Sequence, residues 1–301
     1  MKRVIIFAMT IVFSVYHFNL FGQIKLVSGF KDATYHKMSK DISKISTQTV
    51  TIINTDGALE NFKLLMKDEC DVAFIQYDVM YFEKENNSEN STKLDDIKIL
   101  LPLGYEEIHL IVLKESGIKT LEDLADKKVA VGTKNQGTYV TAKYIKTVTK
   151  IKWKDVTIGF NDALEALITG DIDAFFFVGS APVEKLADIP DNIKDKITLL
   201  PLTHPKLENY YTLLSLKKST YSWLKEDIVT YGVRYALATN SKNESDTKFE
   251  RLKKLVEDIR QNYDKLTAEG HEQWKDVDFK FENVKWPIHP VTLEIFQLKK
   301  L

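Results

Sequence analysis

The chain has 301 residues, with 42 lysines and arginines against 43 aspartates and glutamates, a formal charge of −1, and one cysteine, Cys70. That near-neutral balance excludes the basic stripe a nucleic-acid partner demands, and a lone cysteine excludes an intramolecular disulfide. A chain of this length can bury a core large enough to be stable without one, and can divide into two lobes.

In chain order, Lys2 and Arg3 precede a nearly unbroken apolar run from Val4 to Val15, and Gly22 offers a small residue before Gln23. This is the pattern of a cleaved export signal over residues 1–22. The run falls short of the roughly 20 apolar residues that span a bilayer, so a periplasmic protein is expected.

The mature chain then reads as a strand, Ile24 to Phe30, an amphipathic helix, Lys31 to Lys44, and a β-branched strand, Thr49 to Ile53. Gly57 opens a second helix, with Leu59, Phe62 and Met66 on one face, and Asp71 to Gln76 is a buried-type strand. Glu83 to Asp96 is polar and asparagine-rich, as in a surface excursion. Two apolar runs follow, Ile97 to Leu101 and His109 to Leu113, the second predicted to cross between lobes.

The same order then begins again. Lys128 to Gly132 is a strand, and Gly137 or Thr138 opens a helix carrying Val140, Tyr144, Ile145 and Val148. Val156 to Gly159 is a short strand. Asp162 and Glu165 are spaced as a helix-capping pair, Gly170 stops that helix, and Ile172 to Val178 is a strongly apolar strand. Two β-α-β-α-β series imply an α/β fold of two similar lobes, each a mostly parallel sheet flanked by helices. The predicted division is 23–112 with 212–301 for the first lobe and 113–211 for the second, the chain returning near Tyr211 to Leu216. A last long helix carries a stripe from Phe249 to Leu266.

In parallel sheets, ligands bind beyond the carboxyl ends of the strands. That rule selects Lys31 and Tyr35 after the first strand, Gln76 and Tyr77 after the third, and Val178 after the last. Gln136, Gly137 and Thr138 begin a helix whose free N–H groups suit an anion. No G-x-S-x-G elbow, P-loop or G-x-G-x-x-G motif occurs, and no histidine has zinc-ligand spacing. No catalytic residue, metal or cofactor is therefore expected.

Ala58-Leu59-Glu60-Asn61 through Asp71 to Asp78 resembles the helix-strand segment of the TAXI family, the solute-binding subunits of TRAP-type transporters. Glu115-Ser116-Gly117-Ile118, Lys128 to Gly132, Gln136-Gly137-Thr138, Gly170 to Phe176 and Pro287-Ile288-His289-Pro290 are similar to that family's later signatures. The resemblance implies a type II periplasmic-binding fold and a monomer that captures a small anionic solute, a glutamate-like amino acid or dicarboxylate, for a TRAP membrane permease. The chain departs from the family's pattern at Gly29 to His36, at Tyr77 and at Tyr139, which implies a bulkier, more charged pocket. A sensory or orphan binding protein of the same fold is the alternative, and an exported enzyme a more distant one.

Overall fold

The first series folds as β1 (Ile24–Val27), α1 (Thr34–Ile45), β2 (Val50–Ile53), α2 (Ala58–Met66) and β3 (Val72–Gln76). The computed structural model describes residues 23–86, 93–277, 279–282 and 284–298; the expected export signal and part of the polar excursion lie outside them. The chain continues through α3 (Tyr77–Asn86) and β4 (Ile97–Leu113). It then repeats itself as β5 (Lys128–Ala130), α4 (Gly137–Thr149), β6 (Lys154–Val156), α5 (Phe160–Thr169) and β7 (Ala174–Gly179). The remainder is α6 (Glu184–Ala187), α7 (Asp191–Lys194), β8 (Ile197–Leu199), β9 (Thr212–Leu216), β10 (Ile228–Asn240), α8 (Asp246–Gln261), α9 (Tyr263–Glu269) and α10 (Pro290–Ile295).

The repeat extends to single hydrogen bonds. In the first copy Asp71 Oδ2 accepts from Lys25 N at 2.8 Å, and Asp71 N donates to Lys25 O at 3.0 Å. In the second, Asp173 Oδ2 accepts from Lys128 N at 2.8 Å, and Asp173 N donates to Lys128 O at 2.8 Å. Each aspartate thus ties the start of its copy's first strand to the start of its third. The apolar run of β3, buried at every position, is what a strand covered on both faces requires.

The ten strands form one sheet with the path β2-β1-β3-β10-β4-β7-β5-β6. β1 pairs in parallel with β2 and β3, and β5 in parallel with β6 and β7. The long antiparallel pair β4 and β10 lies between the two triplets. One apolar cluster gathers α1, α2, β1, β3 and α8, with Phe62, Phe74 and Trp274 among its largest members. Two further clusters lie on the other half of the sheet, around Tyr144 and Trp153 on one face and Phe175 and Trp223 on the other. This is the two-lobed, mixed α/β architecture of type II periplasmic-binding proteins.

Several expectations are revised by the packing. The two apolar runs at 97–113 are one continuous strand, and it leaves the first cluster after Leu103 and joins the second by Ile108. The return crossing is made by β10, not near Tyr211 to Leu216. Leu216 to Ile228 pack with Phe175, Tyr231 and Val233 pack with Tyr144, and only from Tyr235 onward does the strand join the first cluster. Residues 212–233, assigned from the sequence to the first lobe, are therefore packed with the second. Asp162 and Glu165 do not cap α5, which starts at Phe160 behind Gly159 with no side-chain cap; Gly170 does end it, in the left-handed conformation. The stripe from Phe249 to Leu266 is divided at Asn262 between α8 and α9.

Candidate ligand-binding cleft

The carboxyl ends of β1, β3, β5 and β7 face one another across a cleft of about 1050 Å³ between the two halves of the sheet. Each half supplies strand-to-helix loops. Phe30 and Lys31 come from the β1–α1 connection and Tyr35 from the first turn of α1, while Gln136 stands at the N-cap of α4 and Gly137 and Thr138 begin it. Seven of the eight residues selected from the sequence line this space: Lys31, Tyr35, Gln76, Gln136, Gly137, Thr138 and Val178. Tyr77 does not. β3 ends at Gln76, so Tyr77 is the first residue of α3 and its side chain is buried away from the cleft.

The floor is built by Glu106, which local sequence reasoning missed. It lies on β4, is almost fully buried, and still reaches the cleft. Tyr35 donates its hydroxyl to Glu106 Oε2 at 2.9 Å, and Gln76 donates its amide N–H to the same oxygen. Phe74 holds the Tyr35 ring by stacking, with centroids 4.8 Å apart. Glu106 Oε1 takes no hydrogen bond from the described residues. Burial, opposed by the Gln76 and Tyr35 hydrogen bonds, pushes the Glu106 carboxyl up to about 7. The one visible signal was a pair of glutamates, Glu106 and Glu107, inside an otherwise apolar strand.

Gln76 also reaches across to the other lobe. A Cβ built on Gly137 would overlap Gln76 Oε1 and Cδ, so the glutamine tip rests against bare backbone where α4 begins. A second close approach lies beside it. Gly57 has φ +141°, and a Cβ there would stand 3.2 Å from Gln136 Cα. The N–H groups of Gly137, Thr138 and Tyr139, the first turn of α4, have no acceptor among the described residues. Thr138 spends its hydroxyl oxygen on Val178 N at 3.0 Å, which pins the end of β7 to α4.

Further bonds join the halves behind the cleft. Asp78, wholly buried, accepts from Thr141 Oγ1 at 2.6 Å and from Tyr211 at 3.2 Å. Asn135 Nδ2 donates to Asp56 Oδ2 at 3.2 Å. Burial raises Asp78 to about 6 and Glu107 to about 7, and lowers His109 and His289 to about 4.

These shifts give stability a pH dependence whose sign can be worked out. Glu106 and Glu107 keep protons in the folded protein up to about pH 7, whereas the unfolded chain loses them near 4.3. Their contribution is therefore full at acid pH and is lost as pH rises to about 7. The histidines act oppositely, losing stability as pH falls from about 6.5 toward 4. Between about pH 6.5 and 7.5 the carboxyls act with little opposition, so the melting temperature is expected to fall across that interval. A melting series in buffers of matched ionic strength checks this. Glu106→Gln should flatten the fall, and an unchanged slope would mean the floor carboxyl is not the group responsible.

Residues 33–296 match the NMT1-like family. Solved structures similar to this chain match it at low sequence identity. An ancestral arginine-binding protein bound to arginine has a TM-score of 0.50 and 18% identity, with 84% of this chain and 98% of that one covered. PhnD1 from Prochlorococcus marinus in complex with methylphosphonate has a TM-score of 0.50 and 12% identity, covering 85% and 95%. A structure of the glutathione import system of Streptococcus mutans has a TM-score of 0.50 and 13% identity, covering 86% and 97%. At these identities the likeness shows the fold. Among the described residues, no helix is long and apolar enough to cross a membrane, and no cluster of His, Cys, Asp or Glu could hold a metal ion.

Proposed function

The chain belongs to the NMT1-like family, and on that premise we propose that it is an extracytoplasmic solute-binding protein that closes its two lobes around one small polar molecule and passes it to a membrane importer. The observation that carries this reading is the cleft itself: Gln76 of one lobe touches the first turn of α4 in the other, and polar groups of both lobes converge on the space between them. The proposed division is a first lobe of 23–105 with 234–298 and a second of 106–233, following the two crossings in β4 and β10.

The free N–H groups of Gly137, Thr138 and Tyr139 are the seat for the solute's acceptor end, a carboxylate or phosphate oxygen. Thr138 braces this seat through its hydroxyl oxygen, which accepts from Val178 N, and its O–H remains able to donate to the solute. Lys31, exposed at the mouth, steers the solute inward. The resemblance seen in the sequence makes a TRAP-type permease the first candidate for the receiving partner. The reading is binding without turnover.

A thermal-shift screen of the full chain against amino acids, dicarboxylates, keto acids, amines and small phosphorylated compounds tests it. A solute at 1,000 times its Kd adds about 4 kcal/mol of stability. At least one compound is expected to raise the melting temperature saturably and be recovered chemically unchanged. Recovery of a converted product would replace binding with catalysis.

A further inference from the structure

The charge of the cleft points to a feature of the solute that the α4 seat alone would not suggest. The lining carries six carboxylates, those of Asp32, Asp56, Glu106, Glu184, Asp188 and Glu272, against three lysines and no arginine. Of these, Glu184 is paired with Lys37 at 3.3 Å and Asp32 with Lys40 at 3.4 Å, and Lys31 is exposed at the mouth. The deepest of these charged groups is Glu106. The titratable groups facing it are Tyr35 from α1, Tyr235 from β10, Asp78 from α3 and Glu107 on its own strand, and none is a cation.

A buried carboxylate with neutral donors on one oxygen and nothing on the other is costly unless a cation completes it. The protein supplies Tyr35 and Gln76 to Oε2 and leaves Oε1 open to the cleft. The apolar lining has matching chemistry. Phe30 is 46% exposed at the cleft, and Phe160 and Phe177 stand edge to face there with centroids 5.3 Å apart. Ring faces of this kind attract organic cations, and Lys185 Nζ already lies 5.8 Å from the Phe160 centroid.

We infer that the solute carries a cationic amine or amidine, whose N–H groups sit on Glu106 Oε1 and whose carbon frame lies against Phe30, Phe160 and Phe177. This rests on the solute-binding reading and narrows it: of the solutes expected from the sequence, an amino acid brings such an ammonium group, whereas a dicarboxylate would place like charge against the floor. Because Glu106 titrates near neutrality, such a solute binds more tightly at pH 8 than at pH 6, where the carboxyl is neutral.

The test compares probes of similar length and opposite end groups, putrescine, agmatine and L-ornithine against succinate, 2-oxoglutarate and phosphoenolpyruvate, by calorimetric titration at pH 6 and pH 8. At least one of the first set is expected to bind, more tightly at the higher pH. Glu106→Gln, which keeps the shape and removes the charge, should weaken that probe at least tenfold at pH 8, while its ligand-free melting temperature there is no lower than the parent's. Glu106→Asp should recover part of the loss. Binding confined to the second set, or amine binding indifferent to Glu106→Gln, would overturn the assignment. Silence from both sets would overturn it too, and would leave the wider solute-binding reading to its own screen.

Discussion

Gly137→Ala should weaken solute binding about 10- to 100-fold while leaving the ligand-free protein as stable as the parent or slightly more so. The two effects separate because the glycine has two roles. It is the first residue of α4 with ordinary helical backbone, and alanine is the better helix former, by roughly 1 kcal/mol in a helix interior. Nothing in the second lobe alone requires a glycine there. Across the cleft the position differs: a Cβ would overlap the Gln76 amide, which is buried and donates to Glu106. Closing the lobes would then push Gln76 off the floor and strand a buried polar group, which costs about 1–3 kcal/mol. A form with the lobes apart would pay none of that. Calorimetric titration and a melting curve on the same preparation check both halves. Unchanged affinity would mean that the approach of Gln76 to α4 has no part in the bound state.

Phe74→Ala should destabilise the protein by about 3–5 kcal/mol, the usual range for removing a fully buried phenylalanine. Phe74 is 0% exposed at the centre of β3, and its neighbours belong to strands β1 and β10 and to helix α2, which cannot all move in to fill the space. With a melting shift of roughly 2–4 °C per kcal/mol for large domains, the expected fall is about 10 °C. The substitution also removes the ring on which Tyr35 stacks, so the hydroxyl that holds Glu106 loses its support. Denaturant melts should show the stability loss with an unchanged slope, and titration of a known solute should show weaker binding on top of it. A loss below about 1 kcal/mol would contradict the packing described for the first lobe.

Much of the fold was legible because it is written twice. The two β-α-β-α-β series announce themselves through apolar periodicity and through the echoing aspartates, Asp71 and Asp173, whose equivalent backbone bonds show why that residue recurs. The crossings were legible only in part: the run His109 to Leu113 belongs to the strand that makes the first, but its start and the return through β10 were not. β4 runs unbroken through Pro102, Gly104, Glu106 and Glu107, which in a local reading separate two apolar runs. They are accommodated because this stretch passes between the cores, where one face meets the cleft. β10 was missed for a related reason: it serves both cores in turn, so no single alternation of buried and exposed positions runs along it.

The site divides the same way. Residues at strand ends follow a topological rule, and seven of eight fell on the cleft. Tyr77 failed because α3 starts directly at the end of β3, with no loop to carry a side chain forward. Glu106 obeys no strand-end rule, since it reaches the cleft from within a strand. Its role depends on Tyr35 and Gln76, 71 and 30 positions away in sequence, and no local pattern encodes that meeting.

Native mass spectrometry of the full chain, gently ionised with a solute found by thermal shift, tests the central claim most directly. A single-site cleft predicts one solute per chain, saturating, and lost or sharply reduced in Gly137→Ala under identical conditions. Several solutes per chain without saturation, or equal occupancy in the parent and Gly137→Ala, would contradict a solute held by closure of the two lobes.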